Sequence, residues 1–349
     1  MRRISCCSVN SCIVSSAIII FCTLPALLYL FYLNNGFNWM YCEGAPYIYV
    51  TYHDGLRSPL KYSRDGCLLS DNVVTGFVMK ASSNLRSMLI DPDQGYLYVT
   101  EACEDQNEEN HSRILVYGQC DPHGTRHFIT VAVDQRYIKG TVHPYGLAMQ
   151  QPANDLYVSY QHTDVILRFH NGGSFDYSPI SLPPSISNKA SQYYPGTFFQ
   201  FGEAAVHSFR NDQGVRSIAF VGENLWITNE NIDAIFVTNP DGYVIRQLQI
   251  RNPIGLYYST DTDILFAGSK SSYGLVYAYN ISTYEPIRRY YAFGMVHPTG
   301  LVTYQDNLFV AEQELGRIFS FDIRTGKLNN VLVSGLAPRR LEQLALSYC

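Results

Sequence analysis

Two arginines and three glutamates stand at matching places in a phrase that recurs along this 349-residue sequence, and chemistry is to be sought there first. Arg86 and Arg216 each open one copy of the phrase, as Glu342 opens another, while Glu101 and Glu312 each close one. Tyr145 and Asn229 hold equivalent places in other copies. Such a set suits recognition of an anionic or sugar-like ligand, because the guanidinium fork matches carboxylates and phosphates. The oxygens of Glu101, Asn229, Glu312 and Glu342 suggest an alternative, a site for Ca²⁺ or another divalent metal. The plainer alternative is that arginines and glutamates lining a polar channel satisfy one another. His143 and His297, each in an HPxG phrase, invite a zinc reading. A catalytic zinc asks for a third protein ligand, however, and Pro and Gly recur with these histidines, so a turn-packing role explains them more simply. The sequence holds no GxSxG, HExxH or P-loop pattern.

The repeated phrase must position these residues. Its clearest copy is VHPYGLAMQQPANDLYVSY (Val142–Tyr160), which reads as two strands around a tight turn. Relatives are NLRSMLIDPDQGYLYVTE (Asn84–Glu101), GVRSIAFVGENLWITN (Gly214–Asn229), NPIGLYYSTDTDILFA (Asn252–Ala267) and VHPTGLVTYQDNLFVAE (Val296–Glu312). A sixth copy is divided between the chain ends, RLEQLALS (Arg340–Ser347) supplying its first half and YIYVTY (Tyr47–Tyr52) its second. Self-similarity at this spacing means a repeat architecture, and a copy split between the termini means a closed ring. The expected fold is all-β: a six-bladed β-propeller over residues 45–349, closed by pairing of the N- and C-terminal strands. Antiparallel pairing puts the start of each blade's first strand beside the end of its second. Two rings are therefore expected at one channel mouth. Arg86, Tyr145, Arg216, Ile254, Thr299 and Glu342 form a leading ring, and Tyr52, Glu101, Tyr160, Asn229, Ser269 and Glu312 a trailing one. Residues 171–211, rich in Pro, Ser and Tyr, break the pattern and read as an insertion, with Thr197–Phe201 as blade three's fourth strand.

The phrases HPYGLAM…DLYVSY, NLWITNENIDAIFVTNPDG and HPTGL…NLFVAEQELGRIFSFDIRTG resemble NHL-repeat six-bladed propellers. They are similar also to the wider group of SMP-30/gluconolactonase and strictosidine-synthase-like propellers. The resemblance covers residues 45–349 and implies the fold. It implies function only broadly, since these propellers include binding modules and enzymes. Active sites of the enzymes use polar or acidic residues at the channel mouth, in places comparable to Glu342 and Glu101. Tyr145 and Thr299 stand where their asparagine and aspartate partners would be. The reading reached is a module binding an extracellular or luminal protein or small ligand, without a cofactor. The alternative is a metal-dependent hydrolase or lactonase.

The N-terminus adds location. Ile13–Leu33 is apolar, uncharged and long enough to cross a bilayer. Arg2 and Arg3 precede it and no Lys or Arg follows until Arg57, which predicts a signal anchor with residues 1–12 in the cytosol. A linker over 34–44 then leads to a propeller facing the extracellular space or a secretory lumen. A cleaved signal peptide is the alternative, though its apolar region is usually shorter. Net charge is −5, and residues 1–42 hold only basic charges, so the remainder is mildly acidic. No nucleic-acid partner is expected of such a chain. Asn110 and Asn280 lie in N-glycosylation sequons. Cys42 and Cys349 flank the cut turn of the divided copy and are expected to pair. Cys103 and Cys120 flank a hairpin and would pair next, leaving Cys67 free. The alternatives are a frayed thiol at Cys349 or a partner for Cys67.

Overall fold

The computed structural model describes residues 44–53, 58–77, 83–103, 112–134, 143–173, 175–180, 196–201, 214–336 and 340–349. The expected membrane segment, Cys42 and Asn110 lie outside them. Among the described residues no helix is long and apolar enough to cross a membrane.

The repeated phrases fold as expected, into six sheets whose blade strands pair antiparallel. Blade one joins both chain ends: β26 (Leu341–Ser347) pairs with β1 (Tyr47–Tyr52), followed by β2 (Leu60–Tyr62) and β3 (Leu68–Ser70). Blade two runs β5 (Ser83–Ile90), β6 (Leu97–Cys103), β7 (Arg113–Cys120) and β8 (Arg126–Asp134). Blade three runs β9 (Pro144–Gln150), β10 (Asp155–Tyr160) and β11 (Val165–Asn171). Blade four is β14 (Val215–Val221), β15 (Asn224–Asn229), β16 (Ala234–Thr238) and β17 (Val244–Gln249). Blade five is β18 (Pro253–Ser259), β19 (Ile264–Ser269), β20 (Leu275–Asn280) and β21 (Pro286–Tyr290). Blade six is β22 (Pro298–Tyr304), β23 (Asn307–Glu312), β24 (Arg317–Asp322) and β25 (Leu328–Val333). The first strands β26, β5, β9, β14, β18 and β22 each touch the next around a closed circle.

Two outer edges depart from expectation. The segment near Asn72–Met79 reads in sequence as blade one's outer strand. Instead β3 takes that place, and β4 (Val74–Thr75) adds in parallel to the edge of β8 in blade two. In blade three the fourth strand is divided: β12 (Tyr177–Pro179) pairs with the far end of β11 and β13 (Thr197–Gln200) with its near end. Arg168 sits at the junction, its N–H bonded to Gly196 O at 2.8 Å and its carbonyl to Ile180 N at 3.0 Å. The inserted chain therefore leaves and returns at the rim of blade three.

The core is divided as the blades are. Six clusters of buried apolar side chains each fill the wedge between two neighbouring blades. Because each sheet packs on both faces, its inner strands read as near-continuous apolar runs; every residue of β10, DLYVSY, is buried. Turn chemistry repeats as well. The residue opening each outer hairpin caps it with a side-chain oxygen: Ser63, Asp121, Asn171, Asn239, Asn280 and Asp322 each accept a backbone N–H from the turn. The sequon residue Asn280 is one of these caps. Its Oδ1 accepts from Ser282 and Thr283 N–H, both at 2.9 Å.

Candidate binding site at the channel mouth

The two rings are built by one device used six times. Each first strand carries a bulge, with two residues opposed by one on the second strand. The pairs are Glu342–Gln343, Arg86–Ser87, Tyr145–Gly146, Arg216–Ser217, Ile254–Gly255 and Thr299–Gly300. The first residue of each is the leading-ring residue. The residue before it pairs with the trailing ring: Leu341 with Tyr52, Leu85 with Glu101, Pro144 with Tyr160, Val215 with Asn229, Pro253 with Ser269 and Pro298 with Glu312. In every blade the leading-ring residue therefore lies beside the trailing-ring residue at the same end of the strand pair.

The bulge explains the HPxG phrase. Its proline begins the strand, where a missing N–H is tolerated. Its glycine is the second bulge residue and abuts the next blade; a Cβ on Gly146 would lie 2.9 Å from Arg216 O, and one on Gly300 2.6 Å from Leu344 N. Its histidine holds a backbone clasp. His143 O accepts Gln161 N–H and His297 O accepts Gln313 N–H, each at 3.0 Å, and Asn252 O does the same for Lys270. His143 adopts a left-handed φ of 66° in doing so. Both imidazoles are buried and neutral. Burial, then the charges of Arg86, His162 and Arg216, hold His143 well below its ordinary range. Burial and Lys270 push His297 down to about 2.

The structure brings Arg86, Glu342 and Tyr145 into direct contact. Glu342, 2% exposed, accepts from Arg86 Nη1 at 2.5 Å, Tyr145 Oη at 3.0 Å and Gln313 Nε2 at 2.8 Å. Tyr145 belongs to blade three and Glu342 to blade one, so this bond spans the mouth past blade two. Burial and the neighbouring Glu342 carboxylate push the Tyr145 phenol far above its usual range. Arg216 lies over the Tyr145 ring, 5.3 Å from its centroid, and bonds Glu230 Oε2 through Nε and Nη2 at 2.9 and 2.6 Å. Burial is the largest influence on Arg216 and opposes its charge, yet Glu230, Tyr145 and Glu342 together outweigh it and raise the guanidinium's pKa. Lys270 Nζ approaches Glu230 at 3.6 Å.

The remaining site residues are engaged within their own blades. Glu101 accepts from Arg113 Nε at 2.9 Å. Glu312 accepts the backbone N–H groups of His297, Glu314 and Leu315 at 3.2, 3.0 and 2.7 Å. Asn229 does the equivalent for Asn231 and Ile232 at 3.1 and 3.2 Å. Trailing-ring Asn229 and Glu312 are thus turn caps. The alternative cation ligands Glu101, Asn229, Glu312 and Glu342 are four separately engaged groups, and no cluster of three metal-ligating side chains occurs among the described residues.

Sequence reasoning missed Glu230, Lys270 and Gln313, though each directly follows a trailing-ring position. It missed also the threonines and serines opposite the bulges. The hydroxyl of Thr51 donates to Arg86 O at 3.0 Å, that of Ser159 to Arg216 O at 2.6 Å and that of Thr228 to Ile254 O at 3.0 Å. Each of these ties one blade to the next. The same oxygens accept N–H from the second bulge residues Gln343, Gly146 and Ser217.

The disulfide expectation is corrected. Cys349 bonds Cys120, not Cys42, with Cα atoms 5.6 Å apart, and Cys120 is therefore not paired with Cys103. Cys67 is disulfide-bonded rather than free. The reason is that β26 overshoots β1. Ser347 already pairs with Tyr47, so Cys349 passes the cut turn and meets the outer hairpin of blade two.

No protein-family profile and no curated protein matches this chain. Among solved structures it is similar to a nidogen/laminin complex, at 14% identity and TM-score 0.59, covering 86% of this chain and 98% of that one. It is similar also to a Bacteroides caccae protein of unknown function, at 10% identity and TM-score 0.55, covering 86% and 99%. At these identities the likeness shows the fold, a six-bladed propeller.

Proposed function

We propose that this chain is a membrane-anchored propeller of the NHL-like kind, facing the extracellular space or a secretory lumen, and that it binds a protein. The observation that carries the binding reading is the engagement of every ring carboxylate by protein donors. Glu101 and Glu342 are held by arginines and Glu312 by three N–H groups, so none is poised as a metal ligand or general base. The similar propeller structure is a nidogen/laminin complex, which favours a protein partner for this chain also. The Cys120–Cys349 bond fits an oxidising compartment, which the proposed signal anchor would also give the propeller.

Metal analysis of the purified chain, with lactone hydrolysis measured alongside, tests the reading. After dialysis against Ca²⁺ and then buffer, no stoichiometric metal should remain, and hydrolysis should stay at background. Stoichiometric metal and lactone turnover, both abolished by Glu312→Gln, would replace a binding module with a metal-dependent hydrolase.

A further inference from the structure

Four large apolar side chains stand out of the mouth face where blades five and six meet. Phe293 is 90% exposed, Tyr273 69%, Tyr291 43% and Leu315 39%. They form one ridge. The Tyr273 and Tyr291 rings lie 6.4 Å apart, and a Cβ on Gly294 would stand 3.4 Å from Leu315 Cδ1. The ridge is held rigid from beneath. Ala292 and Met295, on either side of Phe293 and Gly294, are buried in the wedge between blades five and six. Gly274 N–H donates to Met295 O at 2.8 Å and Ser271 N–H to Val296 O at 3.2 Å, tying the two loops together. A Phe displayed on an anchored loop is already ordered, so covering it costs little conformational entropy. Tyr and Phe beside Arg is also the composition of interface centres.

We propose that this ridge is the docking surface for a segment of a partner protein that places an apolar or aromatic side chain beside acidic ones. The proposal rests on the binding-module reading above. Charge selects the occupant. Arg317, whose Nη1 would stand 3.1 Å from a Cβ on Gly294, and Lys270, which shares Glu230 with Arg216, flank the ridge, with Glu314 beside Leu315. A second copy docking through the same ridge would set this basic rim against itself. The chain enters the propeller at Gly44, beside the start of β1, on the face opposite the mouth.

The test pans a displayed library of random peptides against the full chain in nanodiscs. Enriched peptides should carry an aromatic or aliphatic residue flanked by Asp or Glu. Phe293→Ser should weaken their binding at least about thirtyfold, as expected of an interface anchor. Ile129→Ser, at an exposed apolar site on blade two, should leave it unchanged. Because Phe293 is exposed, its thermal unfolding should match the parent's, which separates lost docking from lost folding. Several outcomes overturn the proposal: no peptide enriched, binding indifferent to Phe293→Ser, or peptides without acidic residues. Quenching of a Phe293→Trp chain by brominated lipid would assign the ridge to the bilayer, and dimerisation lost in Phe293→Ser would assign it to a second copy. Peptides that bind elsewhere would remove the ridge and leave the binding-module reading standing.

Discussion

At the scale of single residues, the mouth is a set of buried charges whose partners are already chosen. Glu342 holds Arg86, Tyr145 and Gln313 together. Removing it takes a carboxylate away from a buried guanidinium and a buried phenol, and breaking a buried pair from one side costs about 3–5 kcal/mol. Glu342→Ala should therefore destabilise the chain by about that amount in urea unfolding, whereas Glu342→Gln, which keeps an acceptor, should cost clearly less. Equal losses would mean that the contact contributes by shape rather than by charge. Asp164 behaves differently. It caps the turn after β10, accepts Val215 N–H at 2.9 Å, and leaves Oδ2 buried without a partner. Burial raises its pKa to about 6, against the pull of the Val215 and Gly214 N–H groups and Arg216. An unfolded Asp releases its proton near the ordinary value of about 4. Between these values the folded chain holds more protons, so this group's contribution to stability falls as pH rises from about 4 to about 6, then levels off. Asp164→Asn keeps an acceptor and removes the titration. Its melting temperature should gain on the parent's across that window and stay higher at pH 7. A difference independent of pH would show that Asp164 does not titrate there.

At the scale of elements, the bulge and its hydroxyl decide how blades join. Thr228 accepts Ser217 N–H at 2.8 Å and donates to Ile254 O at 3.0 Å in the next blade. Thr228→Val keeps the shape and orphans both groups, each a buried polar atom whose loss of a partner costs about 1–3 kcal/mol. The urea midpoint should fall accordingly with m unchanged; a midpoint within error of the parent's would mean the hydroxyl bridge is not a stabilising contact. Blade six, with Ala311 in that place, supplies the link from the other strand, Thr299 Oγ1 donating to Leu341 O at 2.9 Å. This level also shows what was legible in the sequence. Phrases such as HPTGL and NLFVAE carry their own register, because Pro, Gly and the apolar alternation each demand one local conformation, and so the rings could be placed residue by residue. Links between blades carry no such mark. Nothing in the spacing of Thr228 says that its hydroxyl meets Ile254, and nothing near Arg216 names Glu230. The parallel addition of β4 to β8 was hidden for the same reason, since it depends on which neighbour lies alongside an edge rather than on the edge's own pattern.

At the scale of the whole molecule, closure depends on how neighbouring blades lean on one another. Outer hairpins pack against the preceding blade. A Cβ on Gly242 of blade four would meet Phe198 O of blade three at 2.5 Å, and one on Gly326 of blade six would meet Arg289 O of blade five at 3.1 Å. By that rule the hairpin of blade two leans on blade one, where the chain ends. Arg126 reaches Ser347 Oγ at 3.3 Å, and Cys349 lies against Gly124 O at 3.9 Å. The Cys120–Cys349 bond is thus a staple across the seam between blades one and two, and it fastens the C-terminal strand on which closure rests. It spans 229 residues. A loop of that length restricts the unfolded chain by about 5 kcal/mol in the chain-entropy treatment, an upper figure because native strain and residual structure reduce it. Two measurements follow. Non-reducing peptide mapping should yield a linked Cys120–Cys349 peptide; an alkylated Cys120, or one linked to Cys103, would refute the pairing. The double variant Cys120→Ser/Cys349→Ser should then unfold at lower urea, by up to about 5 kcal/mol. Partial proteolysis of that variant should release the C-terminal strand first, because β26 is held otherwise by its hydrogen bonds to β1 and its packing in the ring. First cleavage elsewhere, with β26 still protected, would show that the strand pairing alone closes the propeller and that the staple acts only on the unfolded chain.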